Sequence, residues 1–219
     1  MARDAFDKEL QNLRETLLRM ATMLEVQIAE AVQALQTRDR DSAEKVRRDD
    51  QQLNESFRQI REQCFVVIAT QQPVARDLRA LMGVLYISAE LERMGDYAVR
   101  IARMTSTLSG LPGVPLRVEF GLMGQLAVQQ VHDIVDALIE GDEDRAREVA
   151  AKDDEIDRLY HRLFDDLIEE MAKSADSDAA LRAVTLMLVA HNLERIGDRV
   201  TNVAEDIVFL ETGQVVELG

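Results

Sequence analysis

The hexapeptide Leu91-Glu92-Arg93-Met94-Gly95-Asp96 returns in the second half of the chain as Leu193-Glu194-Arg195-Ile196-Gly197-Asp198. Working outward, a shift of 103 residues lays Ala34-Leu35, Asp39, Asp41, Ala43, Val46, Asp50 and Leu78-Arg79 onto Ala137-Leu138, Asp142, Asp144, Ala146, Val149, Asp153 and Leu181-Arg182. A one-residue deletion then brings the two hexapeptides into register. Self-similarity at a fixed offset over this length marks the duplication of a supersecondary unit. The only Pro/Gly cluster, Ser109-Gly110-Leu111-Pro112-Gly113-Val114-Pro115, falls at the middle of the chain and divides it. The reading is a first repeat over residues 1–110, a linker over 111–117 and a second repeat over 118–219.

Within each repeat the apolar residues recur at spacings of three and four. In the first, Val84, Ile87, Leu91, Met94, Ala98 and Ile101 define a seam; Leu186, Val189, Leu193, Ile196, Val200, Val203 and Ile207 repeat it. The periodicity predicts helices over 4–38, 41–71, 75–108, 118–140, 143–173 and 178–211. Asp39-Arg40-Asp41-Ser42 supplies a cap for the second helix, and Pro73 sits near the start of the third, where its missing N–H is harmless. Short connections make neighbouring helices antiparallel. The expected fold is therefore all-α, a tandem duplication of two antiparallel three-helix bundles.

Composition agrees. Of 219 residues nearly half are apolar, but only nine are aromatic and none is Trp, a mixture that suits helical bundles better than sheets. A formal charge of -15 excludes a role that needs broad contact with a nucleic-acid backbone. Basic partners, metal cations or positively charged surfaces fit better. The single Cys64 lies in an apolar run and is expected to be a buried, inert thiol in a reducing compartment. The amino-terminal residues contain no apolar signal core, and no uncharged stretch approaches the roughly 20 residues that span a bilayer. The expectation is a cytoplasmic chain that is not membrane-spanning.

Beside the first seam runs a second row, Leu78, Met82, Leu85, Ala89, Glu92, Asp96, Val99, which turns acidic at Glu92 and Asp96. These two carboxylates lie one turn apart on one face. The second and fifth helices carry the matching intrusions Asp50/Asn54 and Asp153/Asp157. If the second and third helices fold back about residue 73, Glu92 faces Asn54 and Asp96 faces Asp50. With a pivot near 175, Glu194 faces Asp157 and Asp198 faces Asp153. Carboxylates so placed repel unless something positive intervenes. A divalent or trivalent cation held by oxygen ligands is one solution; pairing with Arg93, Arg195 or Arg199, or a solvated charged face, is another. Gly95 and Gly197 each cost the helix about 1 kcal/mol, which requires either close helix approach or room for a ligand. His132, His161 and His191 are scattered, and none follows a Glu by three residues, so the Glu-x-x-His element of di-iron bundles is missing. His161, four residues after Asp157, could extend a site. No Walker loop, dinucleotide fingerprint or nucleophile elbow is present, so no organic cofactor and no catalytic residue is expected. Phosphate would be repelled by the bare carboxylates; only a bound metal would invert that sign.

The run Gln71-Gln72-Pro73-Val74-Ala75-Arg76-Asp77-Leu78-Arg79, followed by the two hexapeptides, resembles the PhoU family of phosphate-transport accessory regulators over essentially the whole chain. The family's acidic elements are Glu/Asp-x-x-x-Asp motifs, which here map to Glu92/Asp96, Glu194/Asp198 and Asp153/Asp157. The fourth departs from the pattern as Asp50 followed by Asn54, so the resemblance implies a first-half site that binds fewer ions or binds more weakly. It further implies a non-enzymatic adaptor that represses the phosphate-starvation response by contacting the phosphate ABC transporter, through its ATPase subunit, and a sensor histidine kinase. Iron or another divalent or trivalent metal ion on the carboxylates, a homodimer, and a peripheral position at the inner membrane face through protein partners are implied in the same way. The competing readings are a metal-dependent enzyme or metal store, and a purely structural bundle.

Overall fold

The computed structural model describes residues 2–111, 113, 116–173 and 176–219. Pro112, Val114 and Pro115 of the expected linker, and the pivot near residue 175, lie outside the described residues. All regular structure among the described residues is helical: α1 (Ala2–Thr37), α2 (Arg40–Gln71), α3 (Ala75–Leu108), α4 (Val118–Glu140), α5 (Glu143–Ala151), α6 (Asp153–Lys173) and α7 (Ser177–Thr212).

The six expected rods are present, with the fifth notched at Lys152 into α5 and α6. At the notch Lys152 N bonds Val149 O and Glu155 N bonds Lys152 O, both at 3.1 Å, a tighter i to i+3 pattern. The sequence reading missed it. Asp153, Asp154 and Glu155 are consecutive acids, and the notch moves all three to a helix amino terminus, where the helix dipole favours negative charge. Its counterpart, Asp49-Asp50-Gln51-Gln52, carries two adjacent acids and stays within the unbroken α2.

Caps repeat with the duplication. Asp39 accepts from Asp41 N at 2.9 Å and Ser42 N at 3.2 Å, and Asp142 accepts from Arg145 N at 3.0 Å. Those hydrogen bonds, led by the Ser42 hydroxyl, hold the Asp39 carboxyl below its usual range. Gly141 and Gly213 close α4 and α7 in the left-handed conformation, where glycine carries no Cβ penalty. The turn between α2 and α3 is costlier, because Gln72 and Ala75 both have φ 49°.

The helices α1, α2 and α3 pack mutually, as do α4, α5, α6 and α7, and the most extensive interface of the molecule joins α3 to α7 across the two repeats. The seam residues Leu91, Met94, Ala98, Leu193, Ile196 and Val203 are fully or almost fully buried in one cluster that runs through both repeats. Each buried Leu contributes about 1.5–3 kcal/mol from apolar burial. Cys64 is buried, its pKa pushed up to about 11 by burial, and its Sγ donates weakly to Leu81 O at 3.9 Å. No helix among the described residues is long and apolar enough to cross a membrane.

Candidate metal centre

Both acidic centres grow from a helix pair in which the glycine of the hexapeptide lets a carboxylate approach. A Cβ on Gly95 would overlap Leu53 Cδ2 and lie 3.1 Å from Gln27 Oε1 and 3.3 Å from Asp50 Oδ1. A Cβ on Gly197 would overlap Asp153 Oδ1 and lie 3.5 Å from Gln130 Oε1. Close helix approach therefore explains both glycines, and in the second repeat the approaching group is itself a site carboxylate. Gln27 and Gln130 are 103 residues apart, so the duplication extends to a glutamine from the first helix of each repeat. That glutamine was absent from the sequence reading, although its recurrence at the repeat offset was there to be found.

In the first centre the amides answer the charge. Gln27 Nε2 donates to Asp50 Oδ1 at 2.9 Å, and Asn54 Nδ2 donates to Asp50 Oδ2 at 2.8 Å, so both oxygens of Asp50 are satisfied. Asn54, where the family pattern has an acid, acts here as a donor. Glu92 stands within electrostatic reach of Asp96 and Asp50, and its pKa is raised first by burial and then by those two charges. Asp96 itself is exposed.

The second centre lacks that compensation. Asp153 Oδ1, Glu194 Oε2 and Gln130 Oε1 are buried and have no protein hydrogen-bond partner among the described residues. Burial, followed by the charges of Asp157, Asp198 and Glu194, pushes the Asp153 pKa up to about 7. Burial likewise raises Asp157 and Glu194, with Asp198 the next largest cause for each. The four carboxylates are thus close enough to disfavour one another's ionisation. Among the described residues the opposing charges come from Arg195, His191 and His161. Arg195 pairs with Asp198, and His191 Nδ1 lies 3.2 Å from Glu194 Oε2 without hydrogen-bond alignment. The Tyr160 ring sits beside both His161 and His191, at centroid distances of 5.3 and 6.1 Å. His161 also draws the Asp157 pKa down through its charge. His191, one of the three scattered histidines, precedes Glu194 by three residues, a spacing that shares a helix face.

The arginines weighed as alternative partners divide. Arg93 Nη1 lies 2.9 Å from Glu90 and Arg199 Nη1 lies 3.3 Å from the same carboxylate, so only Arg195 serves a hexapeptide acid. Glu90 is a buried link between repeats, accepting also from Asn202 at 3.2 Å. Beside it Asp206 is pushed up to about 6 by burial and by the charges of Glu90 and Glu205.

As placed, no three Asp, Glu, His or Cys side chains among the described residues close to metal-ligating distance. The donor set nevertheless suits a hard cation, with orphaned carboxylate oxygens in the second centre and an Asp50 already hydrogen-bonded on both oxygens in the first.

The comparisons with known proteins cover the same two repeats. A PhoU domain model matches residues 17–105 and again 120–207. The chain is 37% identical over 219 residues to a phosphate-specific transport system accessory protein PhoU homolog of Clostridium acetobutylicum, spanning 100% of this chain and 99% of that one. It is 34% identical over 209 residues to phosphate-specific transport system accessory protein PhoU of Escherichia coli (strain K12), spanning 95% of this chain and 86% of that one. The crystal structure of PhoU from Pseudomonas aeruginosa superposes with a TM-score of 0.89 at 34% identity, over 95% of this chain and 100% of that one. With both repeats matched and relatives similar along the full length, the chain belongs to the PhoU family.

Proposed function

We propose that this protein is a non-enzymatic accessory regulator of phosphate uptake. In this reading it acts in the cytoplasm as a homodimer and represses phosphate-starvation genes when phosphate is plentiful. It does so by contacting the ATPase subunit of a phosphate ABC transporter and a sensor histidine kinase. The observation that carries the proposal is end-to-end similarity, in both repeats, to proteins named as accessory to phosphate-specific transport. The acidic composition fits basic protein partners at the membrane face. Deleting the gene is expected to leave phosphate-starvation genes expressed in high phosphate; repression that persists unchanged in the deletion strain contradicts the proposal.

The orphaned oxygens of the second centre support a metal-binding component of the same reading. Asp153, Asp157, Glu194 and Asp198 would hold iron or another divalent or trivalent cation there, and Asp50, Asn54, Glu92 and Asp96 would do so more weakly. A bound cation would neutralise the converging carboxylates and lock α6 to α7. The competing reading of a metal-dependent enzyme or metal store predicts hydrolytic or redox turnover in metal-loaded protein that disappears in Asp153→Asn. Absence of any turnover in the loaded wild-type chain eliminates the enzyme.

A further inference from the structure

In a chain of charge -15, three arginines without acidic partners among the described residues gather at one place. Arg14 on α1 and Arg76 and Arg79 at the start of α3 line one cleft of about 500 Å³, and none of them makes a hydrogen bond or ion pair within the protein among the described residues. Arg79 is half-buried; its Nε is buried with no partner, and its guanidinium lies against the Gly213 cap of α7. Arg14 and Arg76 are exposed at the mouth. The lining also includes apolar side chains, Leu17 of α1 one turn from Arg14 and Leu138 and Ile139 at the end of α4, so the cleft lies between the two repeats. One carboxylate, Glu211, also lines it.

The other copy of these positions is occupied differently. Arg117, the counterpart of Arg14, lies 2.6 Å from Asp166 and also pairs with Glu170. Arg182, the counterpart of Arg79, has an interaction partner, and Ala179 stands in place of Arg76. One copy has engaged its guanidiniums within the protein, Arg117 with two carboxylates, and the other keeps three of them lining a cavity. The turn that presents Arg76 and Arg79 also holds Gln72 and Ala75 at φ 49°. Strain of this kind persists where the surroundings over-determine a geometry, as at ligand clamps.

We propose that this cleft binds a phosphorylated small molecule, its phosphate groups forked by Arg14, Arg76 and Arg79 and its flat, weakly polar body against Leu17, Leu138 and Ile139. Three guanidiniums exceed the charge of a single carboxylate ligand and match a phosphate chain, which guanidinium groups engage bidentately. The volume is that of a small-molecule site rather than of a folded partner. A lining of guanidiniums together with aliphatic side chains suits a ligand with an anionic end and a flat, weakly polar end, and a nucleotide has that chemistry. The site is remote from the acidic centres and does not depend on the proposed regulatory role.

The test is titration calorimetry of the full chain at low salt in EDTA, which keeps any cation from recruiting phosphate to the carboxylates. ATP serves as the nucleotide probe and inorganic phosphate as the second ligand. ATP is expected to bind with micromolar affinity that falls as salt rises, and phosphate to compete only at concentrations at least tenfold higher. Arg79→Met is expected to weaken ATP at least tenfold, and Arg14→Gln with Arg76→Gln to do the same while the surface change Arg47→Gln has no effect. Thermal melts of each variant confirm folding; because Arg14 and Arg76 are exposed, that pair tests the site even if Arg79→Met unfolds. No ATP binding to the wild-type chain overturns the proposal, as does binding that survives the Arg14/Arg76 pair. Phosphate binding as tightly as ATP overturns the contribution of the apolar lining.

Discussion

The two acidic centres descend from one sequence unit and have resolved the same electrostatic problem in different ways. In the first, Asp50 is held between the amides of Gln27 and Asn54, and the helix beneath it is continuous. In the second, Asp157 replaces the amide donor, α6 begins at Asp153, and buried oxygens of Asp153 and Glu194 have no protein donor among the described residues. Asn against Asp at the equivalent position, with a Gln27 that donates and a Gln130 whose oxygen does not accept, separates a centre whose Asp50 is hydrogen-bonded on both oxygens from one with orphaned carboxylate oxygens among the described residues. The arginine cleft repeats the lesson with opposite sign, since Arg117 is paired and Arg14 is not.

The comparison is meaningful only if the halves share one core, and the largest expected effect tests that. Leu91→Ala and Leu193→Ala each remove a fully buried side chain from the common cluster and are each expected to lower stability by about 3 kcal/mol. Chemical denaturation of either variant is expected to show one transition; two transitions, with only one of them shifted, would make the repeats independent units.

The glycines come next. Gly95→Ala drives a methyl into the buried Leu53, so overpacking outweighs the gain in helix propensity and a net loss of about 1 kcal/mol is expected. At Gly197 the obstructing atom is the end of the half-buried Asp153 side chain, which can swing aside. Gly197→Ala is therefore expected to be nearly neutral in thermal melts. Equal losses in both variants would remove the distinction between an apolar and a carboxylate-lined approach.

The smallest effect concerns pH. Asp153 has a folded-state pKa of about 7 against an ordinary value of 3.8, so between those values the folded state binds more protons than the unfolded one. Stability in chelator accordingly falls as pH rises through that window and gains nothing further from Asp153 below it. Glu92, Asp157, Glu194 and Asp206 are raised too and act in the same direction. The wild-type chain is expected to melt higher at pH 5 than at pH 8, and Asp153→Asn to flatten that difference by roughly 2–4 °C, about 1 kcal/mol after discounting for solvent screening. An unchanged pH profile in Asp153→Asn would remove the second centre as its source.

Much of this was legible in the sequence because helix periodicity and the 103-residue offset are local and repetitive signals. Leu91, Met94, Leu193 and Ile196 could be placed in the core from spacing alone, and folding back about residue 73 put Asp50 in the same neighbourhood as Glu92. Tertiary facts were not legible in that way. The notch at Lys152 depends on where three consecutive acids can find a helix amino terminus. The part played by Gln27 depends on which face α1 turns to α2. Arg93 and Arg199 were candidate partners for the hexapeptide acids, but their geometry commits both to Glu90, Arg93 from within α3 and Arg199 across the repeat interface. The cleft of Arg14, Arg76 and Arg79 joins elements from both repeats, which no single helical pattern reports.

The central claim is that the second centre, rather than the first, requires an external cation. Elemental analysis of metal retained per chain, after loading with iron and desalting, compares Asp50→Asn/Asp96→Asn with Asp153→Asn/Asp198→Asn. Metal is expected to fall at least tenfold in the second variant and to stay within about twofold of wild type in the first. Equal metal content in the two variants would contradict the account.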